Sequence, residues 1–506
     1  MAPHAGPGRA VGLTRLAVIF ALSAAILFLT HWPSLNLPFF WDELGYYIPA
    51  ALDLYREGAW VPRTTVPNVH PPGLQVYLAA AWRWTGYSIP ATRSAMLFVA
   101  AGAATGVYLL ALRLCGRPSC AQLAVAFLLA SPLVYTQAMM AQLDLPAALF
   151  TVLALLAFLS NRIRASAVLS VLLVLIRETG IVVPFVLALW LLRERRIRPA
   201  LWYLLPAVAL GGWLVVLKSA TGHWFGDREF TAYNVWYALH PVRVALATGR
   251  RLVFLLCENF HWIGWLAIGF AWRRVGFTSS RDWHVTGTVF TVQLIALSLV
   301  GGAVLERYLL PVLPLMFAAT AAAWMNCLVR WRAVGLSAML AGLVASHFWG
   351  PPYPHPLENN LEMIDFVRVH QDAAAFLDAH YPEATVTTAW PLSAALRRED
   401  YGYVSRPLRV NRLADFRPST LAGLSPAEVE VFVLYSRDAE PEWNLLRLAP
   451  LEALRMRYYG YEPQMTGEEL AQRLGLKRIA MWTRHTQWVE VLARSDLAGP
   501  PSPPPR

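Results

Sequence analysis

Nine stretches of this 506-residue chain are apolar for about as long as a bilayer is thick. They lie near 13–31, 89–112, 119–138, 144–160, 200–218, 250–272, 283–304, 306–329 and 332–350. A helix rising ~1.5 Å per residue needs about 20 apolar residues to cross the ~30 Å hydrocarbon core. A soluble fold has no use for such a succession, because one face of each of its helices must meet water. Only 15% of the residues are charged, against about 25% in soluble domains. The chain is therefore expected to be a polytopic membrane protein.

The interval 165–192 is different, because Arg177-Glu178-Thr179-Gly180 sits at its centre. One span through it would place an Arg and a Glu at mid-membrane, at a cost of several kcal/mol unless paired. It would also put Arg162 and Arg164 on the opposite side from the 193–198 arginines. Two short helices joined at 177–180 remove both conflicts, and bring the total to about eleven spans. The joining turn then lies inside a cavity below the outer surface.

Charge sorts the loops. With the N-terminus inside, the inner loops hold Arg113 and Arg117, Arg162 and Arg164, the 193–198 cluster, Arg273, Arg274 and Arg281, and Arg330 and Arg332. Glu194 and Asp282 alone oppose them there. The other side collects Asp42, Glu43, Asp53, Glu57, Asp144, Asp227, Glu229 and Glu306. This is the positive-inside pattern. Residues 1–350 carry 26 Lys and Arg against 12 Asp and Glu, and residues 351–506 carry 17 against 20. The basic excess thus follows the apolar part and is no footprint for nucleic acid. The expected location is the inner (plasma) membrane, with the N-terminus cytoplasmic and the C-terminal part periplasmic or extracellular. Arg9 and Arg15 precede the first apolar run, and no small-residue cleavage site follows it, so that run reads as an uncleaved span.

The expected fold is mainly α, with a membrane domain over 1–350. Its first external loop, 32–88, reads as two helices lying on the membrane, about 42–57 and 73–84, around His70-Pro71-Pro72-Gly73. Residues 219–249 mix polar and aromatic side chains, which suits the interfacial belt. From 351 to 498 helical patterns (359–380, 442–459, 466–474) alternate with β-rich ones (384–389, 429–435, 478–483, 487–493), as in a small α/β domain. The proline-rich end, 499–506, is expected to be disordered. Four cysteines, none after residue 350, are too few for a disulfide framework.

The outward-facing charges are where chemistry can sit. Asp42-Glu43 follows the first span, between Phe39-Phe40-Trp41 and Tyr46-Tyr47. Asp42 either caps a helix or serves as a general base beside a low-dielectric cavity. Asp144, before Leu145-Pro146, is either the N-cap of the next span or a second carboxylate that orients an acceptor or holds a divalent cation. Adjacent residues share no helix face, so Arg177 and Glu178 are not expected to pair with each other. A buried arginine is an always-charged, bidentate partner for phosphate. Arg307, beside Glu306, and Arg250-Arg251 are further cations on the same side. Glu258 and His261 are spaced to share one helix face within a span. His70 in the first loop, with scattered acids around it, shows no metal spacing, which leaves a divalent cation open. No phosphate-cradling Walker loop or dinucleotide fingerprint is present. Nucleotide-activated donors are cytoplasmic, so a sugar donor used outside has to arrive on a lipid phosphate.

The order of these motifs resembles that of the GT-C superfamily of integral-membrane glycosyltransferases. Asp42-Glu43 comes after the first span, then His70-Pro-Pro-Gly, Asp144-Leu-Pro, Arg177-Glu178-Thr-Gly between short helices, and Glu306-Arg-Tyr-Leu-Leu-Pro311 before a late span. The likeness covers about 10–350 and is greatest for the branch with protein O-mannosyltransferases, lipid A aminoarabinose transferases and lipopolysaccharide galacturonosyltransferase-like proteins. It implies a polyprenyl-phosphate sugar donor and an inverting transfer to an acceptor hydroxyl of a lipid, glycan or protein on the external face. By the same resemblance Asp42 is the base, with Glu43 and Asp144 as further catalytic acids. Arg177, Arg307, His70 and Arg250 would then face the donor phosphate, while Glu178, Glu258, His261 and Glu306 line the cavity. Many relatives carry Lys where this chain has Arg177, and 351–506 matches no known acceptor-recognition module. The rival from another class is a transporter or flippase for lipid-linked sugars, which would use the same cations but need no base.

Overall fold

A computed structural model describes residues 12–349, 358–437 and 448–497. The 499–506 tail and the start of the expected 442–459 helix lie outside the described residues. The chain divides into two compact units, Met1–Pro33 with Tyr47–Gly350, and Ser34–Tyr46 with Pro351–Arg506.

The first unit is helical. Helix α1 (Leu13–His31) leads by way of the first loop to α2 (Ile48–Glu57) and α3 (Gly73–Thr85). There follow α4 (Ile89–Cys115), α5 (Pro118–Ala130), α6 (Pro132–Ala138) and α7 (Asp144–Leu159). Next come α8 (Ile163–Ile176), α9 (Val182–Arg193) and α10 (Leu204–Thr221). The unit ends with α11 (Pro241–Leu256), α12 (His261–Val275), α13 (Arg281–Leu299), α14 (Leu313–Met325) and α15 (Val329–Ala345). Ser88 caps the longest of them, α4, by accepting from the Ala91 amide, and left-handed Gly116 ends it.

By length and apolarity three described helices qualify as membrane spans: Leu13–Ser34, Ile89–Cys115 and Ile197–Thr221. Two bent pairs raise the number to five. The remaining apolar helices, such as Asp144–Leu159, Ile163–Ile176 and Leu313–Met325, are shorter than a full crossing. The runs at 119–138 and 250–272 are therefore not straight helices. Pro132 starts a new helix after Ser131, with a 72° bend, since proline cannot continue the ladder of the helix before it. Asn259 and Phe260 adopt left-handed backbone (φ 51° and 60°), giving a 51° bend.

Small residues set the spacing inside this unit. A Cβ on Gly106 would meet Val152 of α7 at 3.2 Å, and Ala100, Ala103 and Ala104 are buried along the same helix. Close backbone approach is the means by which helices associate in lipid, where apolar burial gives little driving force. The opposite behaviour marks α1, whose Val18, Leu22, Ile26 and Leu29 stay exposed. An uninterrupted apolar stripe of this kind suits lipid and not water.

The charges at the helix ends form two separate groups. Arg113, at the end of α4, lies 2.9 Å from Asp282 at the start of α13, and Arg281 lies 2.6 Å from Glu194 after α9. Arg196 joins this group through Asn161 at 2.8 Å. Every one of these residues belongs to an expected inner loop. The expected outward loops supply the second group, described below.

In the other unit five strands form one sheet in the order β2-β1-β3-β5-β4. Strands β1 (Val386–Ala389), β2 (Val410–Leu413) and β3 (Val431–Tyr435) are parallel. Strands β4 (Leu476–Arg484) and β5 (Gln487–Arg494) form a hairpin that pairs antiparallel to β3. Helix α16 (Glu362–His380) packs on β5 and β4. Between β3 and β4 lie α17 (Ala449–Tyr459) and α18 (Gly467–Leu474), the latter closed by a Thr466–Glu469 capping box. Strand β2, partly exposed and carrying Asn411 and Arg412, showed no hydrophobic alternation by which to be found. Segment 34–46 clusters with this unit, although in chain order it belongs to the first loop of the membrane domain.

Candidate active site

Helix α8 stops at Ile176 and α9 starts at Val182, with Arg177 in extended backbone and Glu178–Ile181 in a tight turn. Gly180 is required in that turn, because a Cβ there would sit 2.6 Å from Leu173. The turn sends its two charges in different directions.

Arg177 pairs with Asp144, the first residue of α7, and donates through Nε to Thr179 Oγ1 at 3.1 Å. Arg307 approaches the same carboxylate, Nε to Oδ2 at 3.3 Å, with both side chains buried. The N-cap position of α7 is Leu143, so the reading of Asp144 as a helix cap gives way to an ion pair with two arginines. The positive end of the α7 dipole favours a carboxylate there as well. Tyr308 lies under both guanidiniums, 4.6 Å from Arg177 and 5.6 Å from Arg307, within cation–π range.

The next residue to Arg307, Glu306, accepts from Arg250 Nε of α11 at 2.6 Å. Arg251, one position on, is 1% exposed, and none of its three guanidinium nitrogens has a hydrogen-bond partner. The cluster thus holds four arginines against two carboxylates. On the other side of the α8–α9 turn, Glu178 Oε2 lies 2.8 Å from His70 Nδ1. Asn68 Oδ1 fixes the His70 amide at 3.0 Å, and the imidazole lies between the Tyr47 and Phe230 rings. A cleft of about 300 Å³, its open mouth included, runs beside Arg177 and is lined by Thr151, Thr179, Leu173 and Gln293.

Asp144, Arg177, Arg307, Arg250 and Glu306 are therefore brought together, with His70 and Glu178 on the other side of the same turn. Glu258 and His261 do not join them. Their expected common helix face does not exist, because the left-handed Asn259 and Phe260 break the helix between them. His261 is buried, with Nδ1 facing the Phe254 carbonyl at 3.0 Å and its ring against Phe317. Tyr308 is the functional-site side chain that the sequence reading passed over. Its signal was its place directly after Arg307.

Asp42 and Glu43 belong to the other unit. Asp42 is half-buried and follows Trp41, a non-glycine residue in left-handed backbone (φ 47°). Such a residue costs on the order of 1–3 kcal/mol and marks sites where the surroundings over-determine the chain. Glu43 is fully buried, and its Oε2 accepts from the Phe40 amide at 2.9 Å, closing the turn on which Asp42 sits.

Among the described residues no group of three or more His, Cys, Asp or Glu side chains could hold a metal ion. In the cluster itself both carboxylates already face guanidiniums, so its donor set does not suit a divalent cation.

The fold is shared, over nearly the whole chain, with solved structures. The structure of ArnT from Cupriavidus metallidurans bound to undecaprenyl phosphate superposes with a TM-score of 0.58 at 15% identity, over 97% of this chain and 100% of that one. The apo state of the same protein gives 0.53 at 15% identity, over 96% and 99%. At that identity the likeness is one of fold. No family model and no curated protein matches the sequence.

Proposed function

We propose that this chain is a membrane glycosyltransferase that moves a sugar from a polyprenyl-phosphate donor to an acceptor hydroxyl on the external face, with inversion. The observation that carries the reading is the group of four arginines, Arg177, Arg251 and Arg307 buried and Arg250 partly exposed, gathered around the carboxylates of Asp144 and Glu306. It occurs on a fold whose solved example binds undecaprenyl phosphate. A buried guanidinium with no hydrogen-bond partner among the described residues, as at Arg251, is costly unless an anion meets it.

The leaving group of such a donor is a lipid phosphate that departs already charged. It needs pre-aimed cations more than a proton, and buried donors stabilise developing charge far better than water does. Asp144 keeps Arg177 and Arg307 together and fixes their direction, and each guanidinium is a planar fork suited to phosphate oxygens. Arg251 adds a guanidinium that no group of the chain engages by hydrogen bonding. Asp144 is already engaged by two arginines, which leaves Asp42 to deprotonate the acceptor. Inversion follows from a single attack on the face opposite the phosphate. With the N-terminus cytoplasmic, the arginine cluster and the C-terminal unit lie on the outer side.

The test is donor turnover. Purified wild type and Asp42→Asn are offered a panel of polyprenyl-phosphate sugars with a mixed envelope extract, and free polyprenyl phosphate is measured. Wild type should release it, and Asp42→Asn should be at least ~10²-fold slower with lipid binding retained, the usual contribution of a general base. No release from any donor, with lipid bound by both proteins, would turn the assignment to a transporter.

A further inference from the structure

Segment 34–46 makes its packing contacts within the unit formed by 351–506. Leu35, Leu37, Phe39, Phe40 and Leu44 are buried there. On the N-terminal side of Asp42, the Phe39 amide donates to the Tyr401 carbonyl at 3.4 Å, and Tyr403 Oη donates to the Phe39 carbonyl at 2.9 Å. Phe40 meets Phe366 edge-on at 5.4 Å, and Trp41 lies against the same ring at 6.2 Å. On the C-terminal side, Gly45 lies flat on Trp390, so close that a Cβ would stand 2.5 Å from the indole.

These anchors lead back to the sheet. Phe366, on α16, packs against Tyr435 at the end of β3, and Tyr435 Oη donates to the carbonyl of Ala389 at the end of β1. Trp390 is the residue that follows β1. A short segment that would otherwise be a mobile loop is thus clamped on both sides of Asp42, by residues 320 or more positions away in sequence. The left-handed Trp41 between the clamps shows that its conformation is imposed from outside.

We propose that the C-terminal α/β unit positions Asp42 for catalysis, with Tyr403 and Trp390 as positioning residues. The proposal rests on Asp42 being the base. Reacting groups must be held to within a fraction of an ångström, and a misplacement of about 1 Å can cost 10²-fold in rate. Loops seldom meet that demand alone, and one packed on both sides against residues anchored at the strand ends of a sheet does.

Two variants test it with the full-length enzyme and an undecaprenyl-phosphate sugar that wild type turns over. Gly45→Ala forces its methyl into Trp390, and Tyr403→Phe removes one hydrogen bond without changing shape. Each should lower kcat by about 10- to 100-fold while donor KM and binding of undecaprenyl phosphate stay within about 2-fold of wild type. Amide exchange across 38–46 should rise in both. Adding Trp390→Phe to Gly45→Ala makes room for the methyl and should recover most of the lost kcat. If both single variants match wild type while Asp42→Asn is inactive, the base stands and the positioning role falls. Full turnover by Asp42→Asn itself removes the base and this proposal together.

Discussion

The information at single residues lies in which neighbour each charge finds. Arg177 and Glu178 are adjacent in sequence, yet one turns to Asp144 and the other to His70. That divergence follows from backbone geometry and was legible, whereas the partners were not. Asp144 read equally well as a helix cap or as a functional acid. Its engagement by Arg177 and Arg307 depends on side chains 33 and 163 positions away, which no local rule reaches. Removing it should leave two buried guanidiniums facing one another. Asp144→Ala is therefore expected to destabilise the protein by about 3–5 kcal/mol, seen as a lower Tm in detergent, whether or not donor is present. Arg177→Ala removes a charged hydrogen-bond donor, of the order of 1.5–3 kcal/mol. Undecaprenyl phosphate should bind it about 10- to 100-fold more weakly by calorimetry. An unchanged affinity would place the phosphate elsewhere.

Elements were more legible than their bends. The apolar runs mark nearly every helix of the first unit, because burial and lipid both select apolar side chains. The break at 177–180 was visible since charges cannot lie at mid-membrane. The break at 259–260 was not: neither Asn nor Phe forbids a helix, and only packing places both in left-handed backbone. In the C-terminal unit, α16 carries a test of its own. His370 is fully buried between Phe366 and Tyr435, with Nδ1 bonded to the Phe366 carbonyl at 2.6 Å. Burial pushes its pKa down to about 3, outweighing the upward pull of the bond to Phe366. The unfolded chain takes up that proton near pH 6.5, so stability is lost as pH falls from about 6.5 toward 3. The unit should melt at progressively lower temperature over that window, and His370→Phe should flatten the slope. An identical slope in the variant would assign the loss to other groups.

At the scale of the whole chain, charge asymmetry predicts an orientation that can be measured directly. In a cysteine-free background, Lys477→Cys on the exposed part of β4 should react with an impermeant maleimide in intact cells. Arg195→Cys, in the turn after α9, should react only after permeabilisation. The reverse pattern would invert the topology, and with it the external acceptor. The two groups of helix-end charges accord with the proposed sidedness, since inner-loop residues pair with inner-loop residues and outer with outer.

Solvent chemistry is written locally, and so the sequence by itself pointed to a membrane protein, to a sorting of its loops by charge and to a change of composition near residue 351. A run of twenty apolar residues or a cluster of arginines needs no partner to be recognised. The motif order was local in the same sense and carried the resemblance to the GT-C superfamily. Tertiary structure alone decided that Asp144 joins two arginines, that Arg251 is buried beside them, and that Glu258 and His261 part company. It also decided that Asp42, in the chain's first loop, is held by residues more than three hundred positions downstream. Those outcomes depend on which buried surfaces fit one another. Complementarity of that kind is a property of pairs distant in sequence, and no single stretch of it carries the information.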